Sequence, residues 1–254
     1  MKHDAHDEFY VGYLPDAPPA LGRWLRSRVR SLLIGAAAVA VLIVATLSPF
    51  SNAAFEFGVV RSFRGVLTNE PVPTLLVARP GRASNDADST SRYLLVAPFK
   101  FGASELVADY LGRHVELQGS LIHRDGQTML ELVPDSIVTL DTPGPTAAPS
   151  TALGERTYRG EIVDSKCYLG VMKPGNLKPH RACAANCIRG GLPPVLLVRT
   201  EAGARYLLLV DEDGSAVNDR VLDLIAEPIE VTGEVVAHGE QLVLRADPAT
   251  YRRL

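Results

Sequence analysis

The chain has 254 residues, a formal net charge of −3, 46% hydrophobic residues and 6% aromatic residues. A near-neutral balance without a long basic run in its carboxyl-terminal four-fifths argues against a nucleic-acid partner, so none is expected. The low aromatic content offers no platform for stacking bases.

Residues 1–30 read as a short polar cytoplasmic tail. His3 and His6 lie in it among acidic residues and prolines, and at such a terminus they are taken as tail and not as a metal pair. Residues 31–55 carry no charge, and the apolar core from Leu32 to Leu47 is long enough for one membrane-spanning helix, assigned to residues 31–50. Arg23, Arg26, Arg28 and Arg30 precede it, with Trp24 beside them. Positive charge on that side places the amino terminus in the cytoplasm. The expectation is a single-pass protein of the inner (cytoplasmic) membrane, with the remaining 200 or so residues in the periplasm of a Gram-negative host. The alternative is a cleaved signal peptide, since Ser51-Asn52-Ala53 loosely fits a small-residue cleavage site.

The exported part reads as two copies of one module. In the first, FRGVL (63–67), TLLVA (74–78) and SRYLLVA (91–97) read as strands. An amphipathic ELVADYL (105–111) follows, then the strands HVELQGSLI (114–122) and TMLELV (128–133). The second repeats the order with YRGEI (158–162), PVLLV (194–198), ARYLLLV (204–210), a helical DRVLDLIA (219–226), PIEVTGEVV (228–236) and QLVLRA (241–246). Phe63-Arg64-Gly65 matches Tyr158-Arg159-Gly160, which sets the register. The domains are therefore expected at residues 56–141 and 155–254, joined by a Pro/Thr/Ala linker over 142–154.

Five short strands with a helix between the third and fourth is the element order of an OB-fold. Each copy resembles small exported bacterial OB-fold domains, a resemblance carried by element order. The fold class expected is mainly β: one transmembrane helix, then two tandem OB-like five-stranded barrels. Gly119 and Gly233 within the fourth strands suit a bulge where a small barrel turns a corner.

All three cysteines fall in residues 164–194, an insertion between the first and second strands of the second copy; the first copy has only TNEPVP (68–73) there. A helix through HRACAANCIR, with Pro179 in its first turn and Gly190-Gly191 at its end, is expected. On it His180, Cys183 and Cys187 stand at i, i+3 and i+7, within an arc of about 60°. Cys167 would join them from the preceding loop, where Gly170 and Pro174-Gly175 let the chain fold back. The four form a candidate tetrahedral Cys3His site for zinc or copper, with Met172 as a further thioether donor for copper. The competing reading is a disulfide, Cys167 with Cys183 or Cys187, as expected of cysteines in an oxidising compartment. A c-type haem is argued against, because no C-x-x-C-H occurs. No catalytic or cofactor-binding residue is assigned: Cys167 with His180 is a nucleophile–base pair in principle, but no acidic orienter is evident. Asp164 reads as a strand end that caps a turn.

The C-x3-C spacing is similar to that of copper sites in cytochrome oxidase subunit two and the copper-delivery proteins of that enzyme. The flanking residues differ, and no roles are carried over. The string DSKCxLGxMKPG, HRxCAxxC, GGxPP resembles a signature of bacterial membrane-anchored exported proteins, which implies export and no activity. Two functions are carried forward. One is a membrane-anchored periplasmic binding or scaffold module, such as an accessory subunit of a membrane redox complex, whose loop is held by metal. Its partner would be another membrane or periplasmic protein. The other is a periplasmic metal-handling or thiol-redox protein with Cys167, His180, Cys183 and Cys187 as its active site.

Overall fold

The computed structural model describes residues 19–47, 53–81, 89–201 and 203–254. His3, His6 and the Ser51-Asn52 part of the alternative cleavage site lie outside them, as do residues 48–50 of the expected span. The described residues fall into two compact units, one on either side of residue 51.

The first unit contains helix α1 (Pro19–Leu47). Its stretch Trp24–Thr46, 23 residues, is long and apolar enough to cross a membrane. The side chains described along it are exposed from Trp24 onward, and the Arg28 guanidinium sits 5.5 Å from the centre of the Trp24 ring.

The second unit holds two closed five-stranded barrels with the OB order of pairing. This unit opens with a short edge strand, β1 (Ala53–Phe55). Barrel one is built from β2 (Arg61–Thr68), β3 (Thr74–Ala78), β4 (Thr90–Val96), β5 (His114–Arg124) and β6 (Gln127–Leu132). Strands β2 to β4 pair antiparallel in sequence, β4 pairs parallel with β6, and β5 closes the barrel between β6 and β2. After the two-residue β7 (Val138–Thr139), barrel two repeats the circuit. Its strands are β8 (Thr151–Asp164), β9 (Pro194–Thr200), β10 (Gly203–Val210), β11 (Ile229–His238) and β12 (Gln241–Arg245), followed by β13 (Arg252–Arg253). Here too the third and fifth strands, β10 and β12, pair parallel and the other neighbours antiparallel.

The alternation in the fourth strands is what closes each barrel on a core. Val115, Leu117 and Ile122 on β5, and Ile229 and Val231 on β11, are fully buried while Gln118 and Thr232 face out. The glycines there do not sit at bulges. Gly119 is the point where β5 stops pairing with β2 and starts pairing with β6, and a Cβ on it would lie 2.7 Å from the Glu131 carbonyl oxygen. On Gly233 a Cβ would lie 2.2 Å from the Arg245 carbonyl oxygen. Close approach of a neighbouring backbone is the requirement at both. The irregularity in the β8–β11 ladder comes two residues later, between Val235 and Val236.

The segments between the third and fourth strands are shorter helices than the sequence suggests. In barrel one, α2 (Ser104–Val107) passes into a single 3-10 turn, and in barrel two there are only two 3-10 turns, 218–220 and 222–224. The Asp223 carbonyl accepts from the Arg181 and Arg253 side chains, so the acceptor that a continuing helix would use is taken from outside.

The two barrels share a seam. Leu94, Val96, Ile122 and Met129 of barrel one pack in one buried cluster with Val163, Leu169, Leu192, Val195 and Leu208 of barrel two. Through this seam runs a buried ammonium. Lys166, 2% exposed, donates to the carbonyls of Ala97 (2.9 Å) and Phe99 (2.8 Å) and meets Glu131 Oε2 at 2.5 Å. Deleting a buried charge strands its partners, which typically costs several kcal/mol. Lys166→Met is therefore expected to destabilise the protein by about 3 kcal/mol. Urea unfolding followed by circular dichroism should show one transition for both barrels, at a lower midpoint; two separated transitions would contradict the shared seam.

Candidate metal centre

The insertion begins where β8 ends in three buried polar residues, Asp164, Ser165 and Lys166, at 0%, 0% and 2% exposure. Asp164 Oδ1 accepts the backbone N–H of Cys167 at 2.8 Å, which turns the chain out of the strand as expected of a capping aspartate. The turn is wide: over Cys167–Val171 the N–H of Met172 reaches back to the Cys167 carbonyl at 3.2 Å. The chain returns against this turn, with Gly175 packed so closely that a Cβ would lie 2.5 Å from the Cys167 carbonyl oxygen.

Helix α3 (Leu177–Arg189) then crosses the insertion. Glu161 Oε2 accepts the Leu177 N–H at 2.9 Å at its start, and Arg181 bonds Glu227 Oε1 at 2.6 Å along its flank. It ends as the glycines predict. Gly191 takes a left-handed φ of 95°, its N–H bonds the Ile188 carbonyl, and the Leu192 N–H bonds that of Cys187, which is a Schellman closure. Asn218 Nδ2 also donates to the carbonyls of Ile188 (2.7 Å) and Leu192 (2.9 Å), fastening this end to barrel two.

α3 presents its i, i+3, i+7 face to the turn. His180 and Cys187 are buried and Cys183 is half-buried, while Cys167 faces them from the turn at 4% exposure. The ligating atoms form two overlapping triads. Those of Cys167, His180 and Cys183 lie within 4.8 Å of one another, and so do those of Asp164, Cys167 and Cys187. All three cysteines are thiols. The Cys/His/Cys/Cys group can hold a metal ion. Zinc–sulfur bonds of about 2.3 Å imply tetrahedral sulfur separations of roughly 3.8 Å, inside the 4.8 Å that bounds each triad. Met172 is 44% exposed at the far end of the turn.

Two further residues belong to this site, and both escape a reading by composition. Asp164 is the acidic orienter that the sequence seemed to lack: its Oδ2 meets His180 Nε2 at 2.9 Å with both side chains buried. Sixteen positions separate them, and only the return of α3 over β8 brings them together. A carboxylate on one imidazole nitrogen fixes the ring and leaves Nδ1 for a ligand, the usual support of a metal-bound histidine. The second is Lys100 of barrel one, whose Nζ donates to Cys183 Sγ at 3.1 Å. The hydrogen bond to Cys183 raises the Lys100 ammonium above its ordinary range. Nothing near Lys100 in sequence marks it.

The thiols are unequal. Hydrogen bonding with Cys187, then burial and the Asp164 charge, push Cys167 far up. The Cys187 thiol is pulled down, chiefly by the hydrogen bond from Cys167. A thiol held down by a neighbouring thiol, with an ammonium at the rim, is an arrangement suited to a soft cation or an oxidant.

No family model matches the chain, and no curated protein matches it. Its fold and site define a class: two closed OB-like barrels beyond an apolar helix, with a Cys/His/Cys/Cys cluster on their seam. A solved structure it is similar to is a deletion mutant of the single-stranded DNA binding protein from Thermus aquaticus. That match is at 14% identity, covering 80% of this chain and 96% of that one, with a TM-score of 0.23. The neighbour overturns the partner expectation. Neither the exclusion of nucleic acid nor a membrane or periplasmic protein as partner is retained, and the low score carries no argument for a particular one. The physical reason is that a net charge of −3 averages the whole chain and hides local clusters of cations.

The Lys100 charge is one of those that hold the Cys187 thiol down, so Lys100→Met should slow iodoacetamide alkylation of Cys187 several-fold, as read by peptide mass spectrometry. An unchanged rate would mean that the contact has no electrostatic weight.

Proposed function

We propose that this chain is a membrane-anchored, exported metal-binding protein in which Cys167, His180, Cys183 and Cys187 hold one ion. The observation that carries the reading is the pair of ligand triads that share Cys167, one of Cys167, His180 and Cys183 and one of Asp164, Cys167 and Cys187, with His180 already held by Asp164. A closed set of three sulfurs and one imidazole, without an open fourth position, suits a structural zinc ion; copper(I) is the other soft ion such ligands take. Bound there, the ion would supply a fixed cross-link between the β8 turn and α3, and through the Lys100 contact it would tie barrel one to barrel two. Lys100 would offset the net negative charge of three thiolates on a divalent cation. The helix α1 supports anchoring, and the arginines before it support a cytoplasmic amino terminus.

The full chain, purified anaerobically in detergent, should carry about one zinc ion per molecule by elemental analysis. Cys183→Ser and His180→Ala should remove it. Asp164→Asn should keep the ligands but weaken zinc affinity by about 10- to 100-fold, as loss of such a supporting carboxylate does. Protease added to intact spheroplasts should digest the barrels and spare an amino-terminal tag.

A second reading, a thiol-redox protein, is favoured by one observation, the opposite displacement of the Cys167 and Cys187 thiols. Metal-free protein with a reversible Cys167–Cys187 disulfide would replace the zinc reading with this one.

A further inference from the structure

A cavity of about 170 Å3 lies on the same seam but shares no residue with the cysteine cluster. Its walls come from β4, from the turn between β5 and β6 at Gly126, and from the turn between β11 and β12 at Gly239. The two equivalent hairpins of the two barrels thus meet around one space. What lines it is polar: Arg79, Arg92, Gln127, His238, Glu240 and Gln241.

The cations here are incompletely matched. Arg79 Nε donates to Ser91 Oγ at 2.9 Å, and its Nη2 pairs at 3.1 Å with Glu240, whose side chain is 64% exposed. Arg92 has only neutral partners among the described residues: its Nε donates to Gln241 Oε1 at 3.0 Å and its Nη2 to the Glu70 carbonyl. The Glu70 carboxylate acts on it from beyond ion-pair distance, and burial pulls the Arg92 guanidinium down from its usual range. Among the described residues, His238 Nε2 is buried without a partner. Burial first, then the charges of Arg92 and Arg245, hold the His238 imidazole below its ordinary range. Among the described residues, two guanidiniums and an unpartnered imidazole nitrogen meet in a cavity whose one lining carboxylate is the exposed Glu240, so charged donors outnumber charged acceptors.

We propose that this cavity binds a tetrahedral oxyanion, phosphate or sulfate in chemical class, between Arg79, Arg92 and His238. Such an ion offers the acceptors that these donors lack, and Arg forks match its oxygens. The volume admits one small anion, with no aromatic face inside for a base except Tyr93 at the wall. Because both barrels contribute donors, the anion would hold them together independently of any metal.

The test is titration calorimetry on the full chain in detergent with inorganic phosphate, sulfate and a phosphate monoester, against chloride at equal ionic strength. Saturable phosphate or sulfate binding is expected, with a rise in melting temperature. Arg92→Gln should weaken it by about tenfold, the worth of one charge-assisted hydrogen bond, and His238→Gln should weaken it too. Arg92→Lys, which keeps the charge, guards against a variant that merely unfolds and should retain part of the affinity. Cys183→Ser should bind phosphate as the parent does, so failure of the metal reading leaves this one standing. Monoester binding would mark the cavity as open to phosphorylated molecules, and its absence as closed around a free ion; either accords with the site. No saturable heat above the chloride control, or equal affinity in Arg92→Gln and His238→Gln, would overturn the proposal.

Discussion

Burying Asp164 and Lys166 at the end of a barrel strand imposes the constraint from which the rest of the architecture follows. Charged groups at 0% and 2% exposure persist only when matched. Asp164 is matched within barrel two, by the Cys167 N–H and by His180, and that requirement draws α3 back over the strand end. Lys166 is matched outside it, by two carbonyls and a carboxylate of barrel one. One short polar run therefore organises the cysteine cluster on one side and the contact between barrels on the other.

The contact is reciprocal. Lys166 reaches from the insertion into the 97–99 segment of barrel one, and Lys100 reaches from the end of that segment back to Cys183. The backbones come as close as backbones can. A Cβ on Gly102 would lie 2.3 Å from the Gly191 carbonyl oxygen, and Gly102 donates its N–H to Gly190 at 2.9 Å. The cap of α3 is thus also its docking point on the neighbouring barrel. The cysteine cluster and this end of the seam therefore share one set of contacts.

The strands were legible because hydrophobic alternation is a local property. The stretch 74–78 matches β3 residue for residue, and the two glycine-bearing fourth strands were placed correctly by their alternation. The glycines were misread as bulge positions because their demand comes from another strand's carbonyl, which no local pattern records. The helix over 219–226 was overcalled for a related reason: Val217, Val221 and Ile225 have helical spacing, yet side chains from α3 and β13 capture the Asp223 carbonyl. Among the site residues, His180, Cys183 and Cys187 could be gathered by helix periodicity, and Cys167 by its residue type. The partner expectation rested on net charge, which has no spatial resolution: Arg79 and Arg92 of one barrel line a cavity with His238 of the other.

By itself the sequence determined two repeats of five alternating strands, one apolar helix, and four soft ligands in a single insertion. These follow from periodicity and residue chemistry within a few dozen positions. Only the tertiary structure decided that Asp164 orients His180, that Lys100 touches Cys183, and that the barrels form one packed body around a buried lysine. Each of those depends on pairing residues 16 to 83 positions apart, a choice made by the burial of charge and of apolar surface across the whole unit, on which local spacing is silent.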